Sequence, residues 1–168
     1  MQDKAGTYVW RTEGVEDTIA LGHAFAQHLR EGDILVLTGD LGAGKTQLTK
    51  GIAAGLGVVD DVTSPTFNIL MAYEGRELPL YHFDLYRLED ADQLEDTGIY
   101  DVLGGDGPCV IEWGEQFARE IGDERLDVFV SRLEDEATGG AEPPREVRLG
   151  PHGARAEQLA AEIAGSLA

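Results

Sequence analysis

The stretch Ile34-Leu35-Val36-Leu37-Thr38-Gly39-Asp40-Leu41-Gly42-Ala43-Gly44-Lys45-Thr46 decides the fold. Residues 34–37 form a continuous apolar run after Gly32 and Asp33. Such a run marks a strand covered on both faces, and such strands belong to α/β sheets. Residues 39–46 match the phosphate-binding pattern G-x-x-x-x-G-K-[ST], and each fixed position has a physical reason. Glycines let backbone N–H groups converge on anionic oxygens. Lys45 adds a mobile point charge for the β and γ phosphates, the helix opening there offers its positive dipole end, and the Thr46 hydroxyl can ligate magnesium. The pattern lies between a predicted strand and a helix predicted over 45–56 and stopped by Gly57, the context it requires.

Upstream, Tyr8, Val9 and Trp10 read as a short strand. Thr12 then stands as a helix cap before Val15, Ile19, Gly22, Ala26 and Leu29 at helical spacing. Downstream, residues 63–66 signal a loop, 67–71 a strand, 74–76 a turn and 80–83 a return strand, so a hairpin makes the sheet mixed. Residues 88–94 carry acidic helical spacing, 109–111 form another buried strand, and 115–121 a short helix. Leu126, Val128 and Val130 alternate with Asp127, Phe129 and Ser131, as in a strand less protected on one side. A flexible loop is expected over 134–144, then a strand through Val147 and Leu149. Leu159, Ile163 and Leu167 line one face of a terminal helix starting near residue 153. The expected fold is therefore α/β, a mixed β-sheet flanked by helices, in one domain over residues 1–168.

With 42% hydrophobic and 27% charged residues, the chain is neither wholly disordered nor collagen-like. No apolar run reaches the ~18 residues of a membrane helix, and the first residues lack the order of a signal peptide, so no membrane role is expected and the compartment is cytoplasmic. Cys109, the single cysteine, sits beside Val110 and Ile111 and reads as a packed strand thiol. Against 13 Lys and Arg stand 32 Asp and Glu, a net charge of −19. Residues 89–136 hold 16 acidic and 3 basic residues, which would repel a phosphate backbone. That stretch either solvates exposed faces, the usual use of charge runs, or faces a basic partner.

A phosphate cradle hydrolyses nothing alone: transfer also needs magnesium held by a second carboxylate and a group that orients the attacking water. Asp84 closes the strand Leu80-Tyr81-His82-Phe83-Asp84, and Glu112 closes Cys109-Val110-Ile111-Glu112. Both end where an α/β sheet meets its ligand crevice, although surface acids also end strands in so acidic a chain. His82 points opposite to Tyr81 and Phe83 and reads as a packed or hydrogen-bonded histidine before a base.

Taken together, residues 39–46, Ser64-Pro65-Thr66, Tyr81-His82-Phe83-Asp84-Leu85-Tyr86-Arg87-Leu88 and Ile111-Glu112-Trp113, in this order and spacing, resemble the TsaE (YjeE) family. The resemblance runs from Val15 to about Leu149. It implies a P-loop NTPase-like fold and a small ATPase using ATP and Mg²⁺. It also implies work with the TsaB and TsaD proteins to install threonylcarbamoyladenosine on tRNA beside the anticodon, the tRNA being touched through those partners. Carried over, Leu41, Gly42, Ala43, Gly44, Lys45 and Thr46 surround the phosphates, Thr46 and Glu112 hold magnesium, and Asp84 beside them either supports the magnesium ligands from behind or positions water. Lys45, Asp84 and Glu112 are then the catalytic residues. Residues 64–66 form a switch-like loop with Thr66 as the γ-phosphate sensor, Arg145 lies near the nucleotide and Val15 near the adenine. Trp113 is either a core or rim aromatic or part of a partner surface. Arg87 either pairs with a nearby acid or serves as an arginine finger; a finger supplied by a partner would leave the isolated chain slow.

Two other functions fit a phosphate loop. A small-molecule kinase normally needs an arginine-rich lid over two anionic substrates, and residues 89–136 supply only three basic residues. A nucleotide-sensing interaction protein would bind partners according to nucleotide state, without turnover. No Asn-Lys-x-Asp string points to guanine.

Overall fold

The computed structural model describes residues 8–40, 42–65, 69–136, 139 and 142–167. Seven strands form one sheet: β1 (Tyr8–Thr12), β2 (Ile34–Thr38), β3 (Leu70–Glu74), β4 (Pro79–Asp84), β5 (Cys109–Glu112), β6 (Arg125–Arg132) and β7 (Arg145–His152). Around them lie α1 (Val15–Ala26), α2 (Lys45–Gly55), the short α3 (Ile99–Val102) and α4 (Ala118–Ile121), and α5 (Ala154–Leu167). Strand order is β1-β7-β6-β2-β5-β4-β3. β6, β2, β5 and β4 run parallel; β7 on one side and β3 on the other are antiparallel to them, and the edge strand β1 pairs antiparallel with β7 and so runs in the direction of the parallel strands. This is the mixed, helix-flanked α/β sheet expected from the sequence.

Parallel strands need both faces covered, which explains the unbroken apolar runs of β2 and β5. On one face Leu35, Leu37, Val110 and Val128 pack with Phe25, Leu48, Ile52 and Ile163 from α1, α2 and α5. On the other, Val36, Phe83 and Ile111 meet Leu94, Ile99, Phe117 and Ile121 from short helical turns. α1 and α2 cross with almost no side chain between them: a Cβ on Gly22 would lie 2.2 Å from the Leu48 carbonyl oxygen, and one on Gly51 would lie 2.0 Å from that of Ile19. Glycine is required there by backbone contact. α5 is tied back by Arg155, whose Nε and Nη2 donate to the two carboxylate oxygens of Asp33 at 2.8 Å each and whose Nη2 also reaches the His28 carbonyl. The Asp33 carboxylate raises the Arg155 pKa above its ordinary value.

Local details differ from the sequence reading. Thr12 does not cap α1; it ends β1, its Oγ1 lies 2.8 Å from Thr18 Oγ1, and Gly14 is the cap. Residues 88–94 are not a helix of their own, because Asp90 and Gln93 form a capping box that starts a 3-10 helix over Ala91–Thr97. Gly98, at φ 84°, then breaks it before α3. β3 begins at Leu70, and the expected strand residues Phe67 and Asn68 lie outside the described residues. In the expected loop over 134–144, Glu134–Glu136 form a 3-10 turn, while residues 137, 138, 140 and 141 lie outside the described residues. Leu159 and Ile163 are buried along one face of α5, whereas Leu167, expected on the same face, is exposed at the last residue of the helix. Among the described residues no helix is long and apolar enough to cross a membrane.

Candidate functional site

The phosphate loop leaves β2 at Gly39 and enters α2 at Lys45. Gly42 and Gly44 have φ of 77° and 112°, left-handed values that cost a residue with a Cβ, and Gly44 is the helix cap. An α-helix leaves its first N–H groups unpaired, so the turn at Lys45 and Thr46 presents donors to the loop's concave side. Ala43 is buried behind the loop and donates its N–H to the Asp40 carbonyl at 3.0 Å. Leu41 lies outside the described residues.

Strand register delivers the acids. In adjacent parallel strands Asp84 pairs with Glu112, and Glu112 with Leu37 of β2, one residue before the strand ends at Thr38. Both carboxylates therefore stand at the carboxyl edge beside the phosphate loop. A cleft of about 700 Å³ opens there, and Val15, Gly42, Gly44, Lys45, Thr46, Ser64, Asp84, Glu112, Trp113 and Arg145 all line it. Thr66 lies outside the described residues. Arg87 is exposed and is not among the lining residues.

Each charged group is held. The Lys45 Nζ donates to the Gly39 carbonyl at 2.6 Å and sits 3.6 Å from the centroid of the Trp113 ring. Burial of this ammonium lowers its pKa below the ordinary lysine value, against the opposing pull of Glu112, Glu115, Asp84 and Asp40. Asp84 accepts from Ser64 Oγ at 2.7 Å and, on its other oxygen, from the Tyr86 N–H at 3.0 Å. Glu112, only 3% exposed, meets His82 Nε2 at 2.6 Å through Oε2. Arg145 turns inward, donating from Nε to the Ala43 carbonyl at 2.7 Å and from Nη2 to that of Gly42 at 3.3 Å, with Glu142 beside it. It braces the carbonyls of Gly42 and Ala43 from its place on the cleft wall, and a trans peptide turns the Gly44 N–H, which follows the Ala43 carbonyl, away from that contact.

Trp113 lies on the wall of the cleft. It follows β5 with φ 59°, a conformation that costs a bulky residue about 1–3 kcal/mol. The turn puts its ring over Lys45 and 5.0 Å from the Tyr86 ring.

Tyr86, Arg132 and Glu142 also line the cleft and were missed by sequence reasoning. Arg132 had a legible signal: it follows Val128 and Val130 at period two, at the carboxyl end of a strand parallel to β2. Its Nε lies 2.7 Å from Glu134 Oε1, an ion-pair distance without hydrogen-bond alignment. Glu142 carries no such signal, because its place depends on the long return from β6 to β7.

The Thr46 hydroxyl and the Glu112 carboxylate are hard oxygen donors of the kind magnesium takes. Among the described residues no group of three or more His, Cys, Asp and Glu side chains is arranged to hold a metal. Two oxygens suit an ion that completes its shell with phosphate and water.

A glycine loop seated between a central parallel strand and its helix, with a cleft at the carboxyl edge, makes this a P-loop NTPase-like α/β protein by class. The family model described as threonylcarbamoyl adenosine biosynthesis protein TsaE matches residues 12–139, and the chain belongs to that family. Its role is in tRNA threonylcarbamoyladenosine biosynthesis. Among similar proteins, the tRNA threonylcarbamoyladenosine biosynthesis protein TsaE of Bacillus subtilis is 41% identical over 154 residues, covering 92% of each chain. That of Treponema pallidum is 42% identical over 124 residues, 74% of this chain and 91% of its own. The crystal structure of Bacillus subtilis YdiB superimposes with a TM-score of 0.79 at 34% identity, over 96% of this chain and 97% of that one.

Proposed function

We propose that this chain binds ATP with Mg²⁺ in the cleft and hydrolyses it, working in the cytoplasm with the TsaB and TsaD proteins in threonylcarbamoyladenosine modification of tRNA. The observation that carries the reading is the convergence of Lys45, Thr46, Asp84 and Glu112 on one cleft from three separate parts of the chain. Thr46 and Glu112 would hold magnesium, which when bound offsets phosphate charge. Lys45 exchanges its Gly39 and Trp113 contacts for phosphate oxygens. Asp84, with its two oxygens held by Ser64 and the Tyr86 N–H, orients the attacking water, and the Ser64 link ties that carboxylate to the loop that carries Thr66. Val15, half exposed at the cleft wall, offers an apolar contact for adenine. Arg145 serves the nucleotide by shaping the loop.

Hydrolysis resets or activates the partners, which make the contact with tRNA. The acidic character of 89–136 fits that division, since it disfavours direct RNA binding. The test is ATP turnover by the purified chain, alone and with TsaB and TsaD, with Lys45→Ala as control for contaminating activity. Slow release of inorganic phosphate, stimulated by the partners and lost in Lys45→Ala, is expected. Turnover that ignores the partners would remove the modification-complex mechanism, and phosphate transferred to a small acceptor would make the protein a kinase.

A further inference from the structure

His82 is fully buried in the sheet, between Met71 of β3 and Val110 of β5 in register. The ring makes one polar contact among those described, Nε2 to Glu112 Oε2 at 2.6 Å, while Nδ1 is buried without a hydrogen-bond partner. A carboxylate has only acceptor sites, so the nitrogen facing it must carry the hydrogen. An apolar side chain would fill this space without stranding a buried nitrogen, and the stranded atom makes the ring unfavourable as mere packing. What the imidazole adds is the Nε2–H aimed at Glu112. Register explains the aim: His82 is level with Val110, and Glu112 lies two residues further along the same face of β5.

Glu112 needs such a hold. It is the last residue of its strand, the backbone turns left-handed at the next residue, and the Lys45 ammonium attracts the carboxylate from the cleft side. We infer that His82 is the positioning residue for Glu112: its Nε2–H pins Oε2 in the sheet and thereby leaves Oε1 as the oxygen that serves the cleft. This rests on the reading of Glu112 as the magnesium carboxylate. A partner that orients a metal-binding carboxylate typically contributes about 10–100-fold in metal affinity or activity.

Two amide substitutions separate positioning from packing. His82→Gln keeps an N–H near the Nε2 position, whereas His82→Asn reaches only to the Nδ1 position and loses the contact with Glu112. Binding of the fluorescent nucleotide MANT-ATP is titrated with Mg²⁺, and again in EDTA, beside kcat and KM for ATP. His82→Asn should raise the Mg²⁺ midpoint and lower kcat by about tenfold or more, with EDTA binding unchanged, while His82→Gln stays within about threefold of the parent. A His82→Asn protein that behaves like the parent overturns the inference, as does an equal loss in both variants. Glu112→Gln in the same assays distinguishes the levels: if it changes neither Mg²⁺ dependence nor kcat, the site reading itself fails. If Glu112→Gln is impaired and His82→Asn is not, only the positioning role fails. Should His82→Asn not fold, ¹⁵N NMR of the parent's histidine rings decides. Nε2 of His82 must be protonated, and a bare Nε2 would refute the inference.

Discussion

Gly51→Ala adds one methyl group at the point where α2 crosses α1. The new Cβ would stand 2.0 Å from the Ile19 carbonyl oxygen and 2.8 Å from its carbon, where real Cβ contacts do not fall below 3.0 Å. Both obstacles are backbone, so no side chain can swing aside and the helices must part by about 1 Å. A gap of that size forfeits a quarter to half of each dispersion contact along the crossing, and overpacking of this kind costs about 1–3 kcal/mol or more. Backbone obstacles on both atoms put the cost at the upper end, about 3 kcal/mol, and alanine returns about 1 kcal/mol of helix propensity, leaving a net loss of about 2 kcal/mol. For a domain of this size that lowers Tm by about 4–8 °C. Gly165→Ala is the matched control: it lies in α5, exposed, with nothing within 4 Å of its added Cβ, and should stabilise by about 0.5–1 kcal/mol. Urea unfolding of the three proteins, with equal m-values, measures the difference. If Gly51→Ala proves as stable as the parent, the close helix crossing is wrong. Because α2 begins at Lys45, the same displacement should also weaken MANT-ATP binding, which Gly165→Ala should leave alone.

Asp33→Ala strands the Arg155 guanidinium and also removes the acceptor of the Arg30 N–H. Breaking a buried pair costs about 3–5 kcal/mol, and with Arg155 partly exposed about 2–3 kcal/mol of urea-unfolding stability should be lost; a loss under 1 kcal/mol would show that α5 is not held this way. Cys109 is buried and its thiol pKa is pushed up to about 12 by desolvation, so a thiol reagent at pH 8 should label it only after denaturation. Rapid labelling of the folded chain would contradict the packing of β5. The depressed pKa of Lys45 has a sign that can be checked: between that value and the ordinary 10.5 the unfolded chain binds more protons than the folded one, so stability from this group rises with pH. Urea midpoints at pH 7.5 and 10 should therefore show the parent gaining on Lys45→Met at the higher pH, and a constant or shrinking margin would mean that the ammonium is not desolvated.

The local pattern at residues 34–46 carried the fold because each of its requirements is local. A strand buried on both faces must be apolar throughout, a loop with left-handed turns needs glycine at 42 and 44, and the helix must begin where the donors are wanted. Asp84 and Glu112 were legible for a related reason: strands of an open parallel sheet end at a common edge, so a carboxylate closing each of two strands lands near the same crevice. Capping was not legible at Thr12, because its hydroxyl found Thr18 and not a helix N–H. Nor was the 3-10 turn at Ala91–Thr97, where the reciprocal hydrogen bonds of Asp90 and Gln93 overrode the acidic helical spacing.

The sequence by itself therefore determined the class of fold, the phosphate loop and the two acids, since these follow from period, turn chemistry and strand ends along the chain. Tertiary structure decided what those groups touch. His82 reaches Glu112 only because β4 and β5 pair in one register, Trp113 covers Lys45 only because the backbone turns left-handed after β5, and Arg145 braces the loop only because β7 returns beside it. Such contacts join residues tens of positions apart, so strand register and chain reversal, which no local pattern encodes, set them.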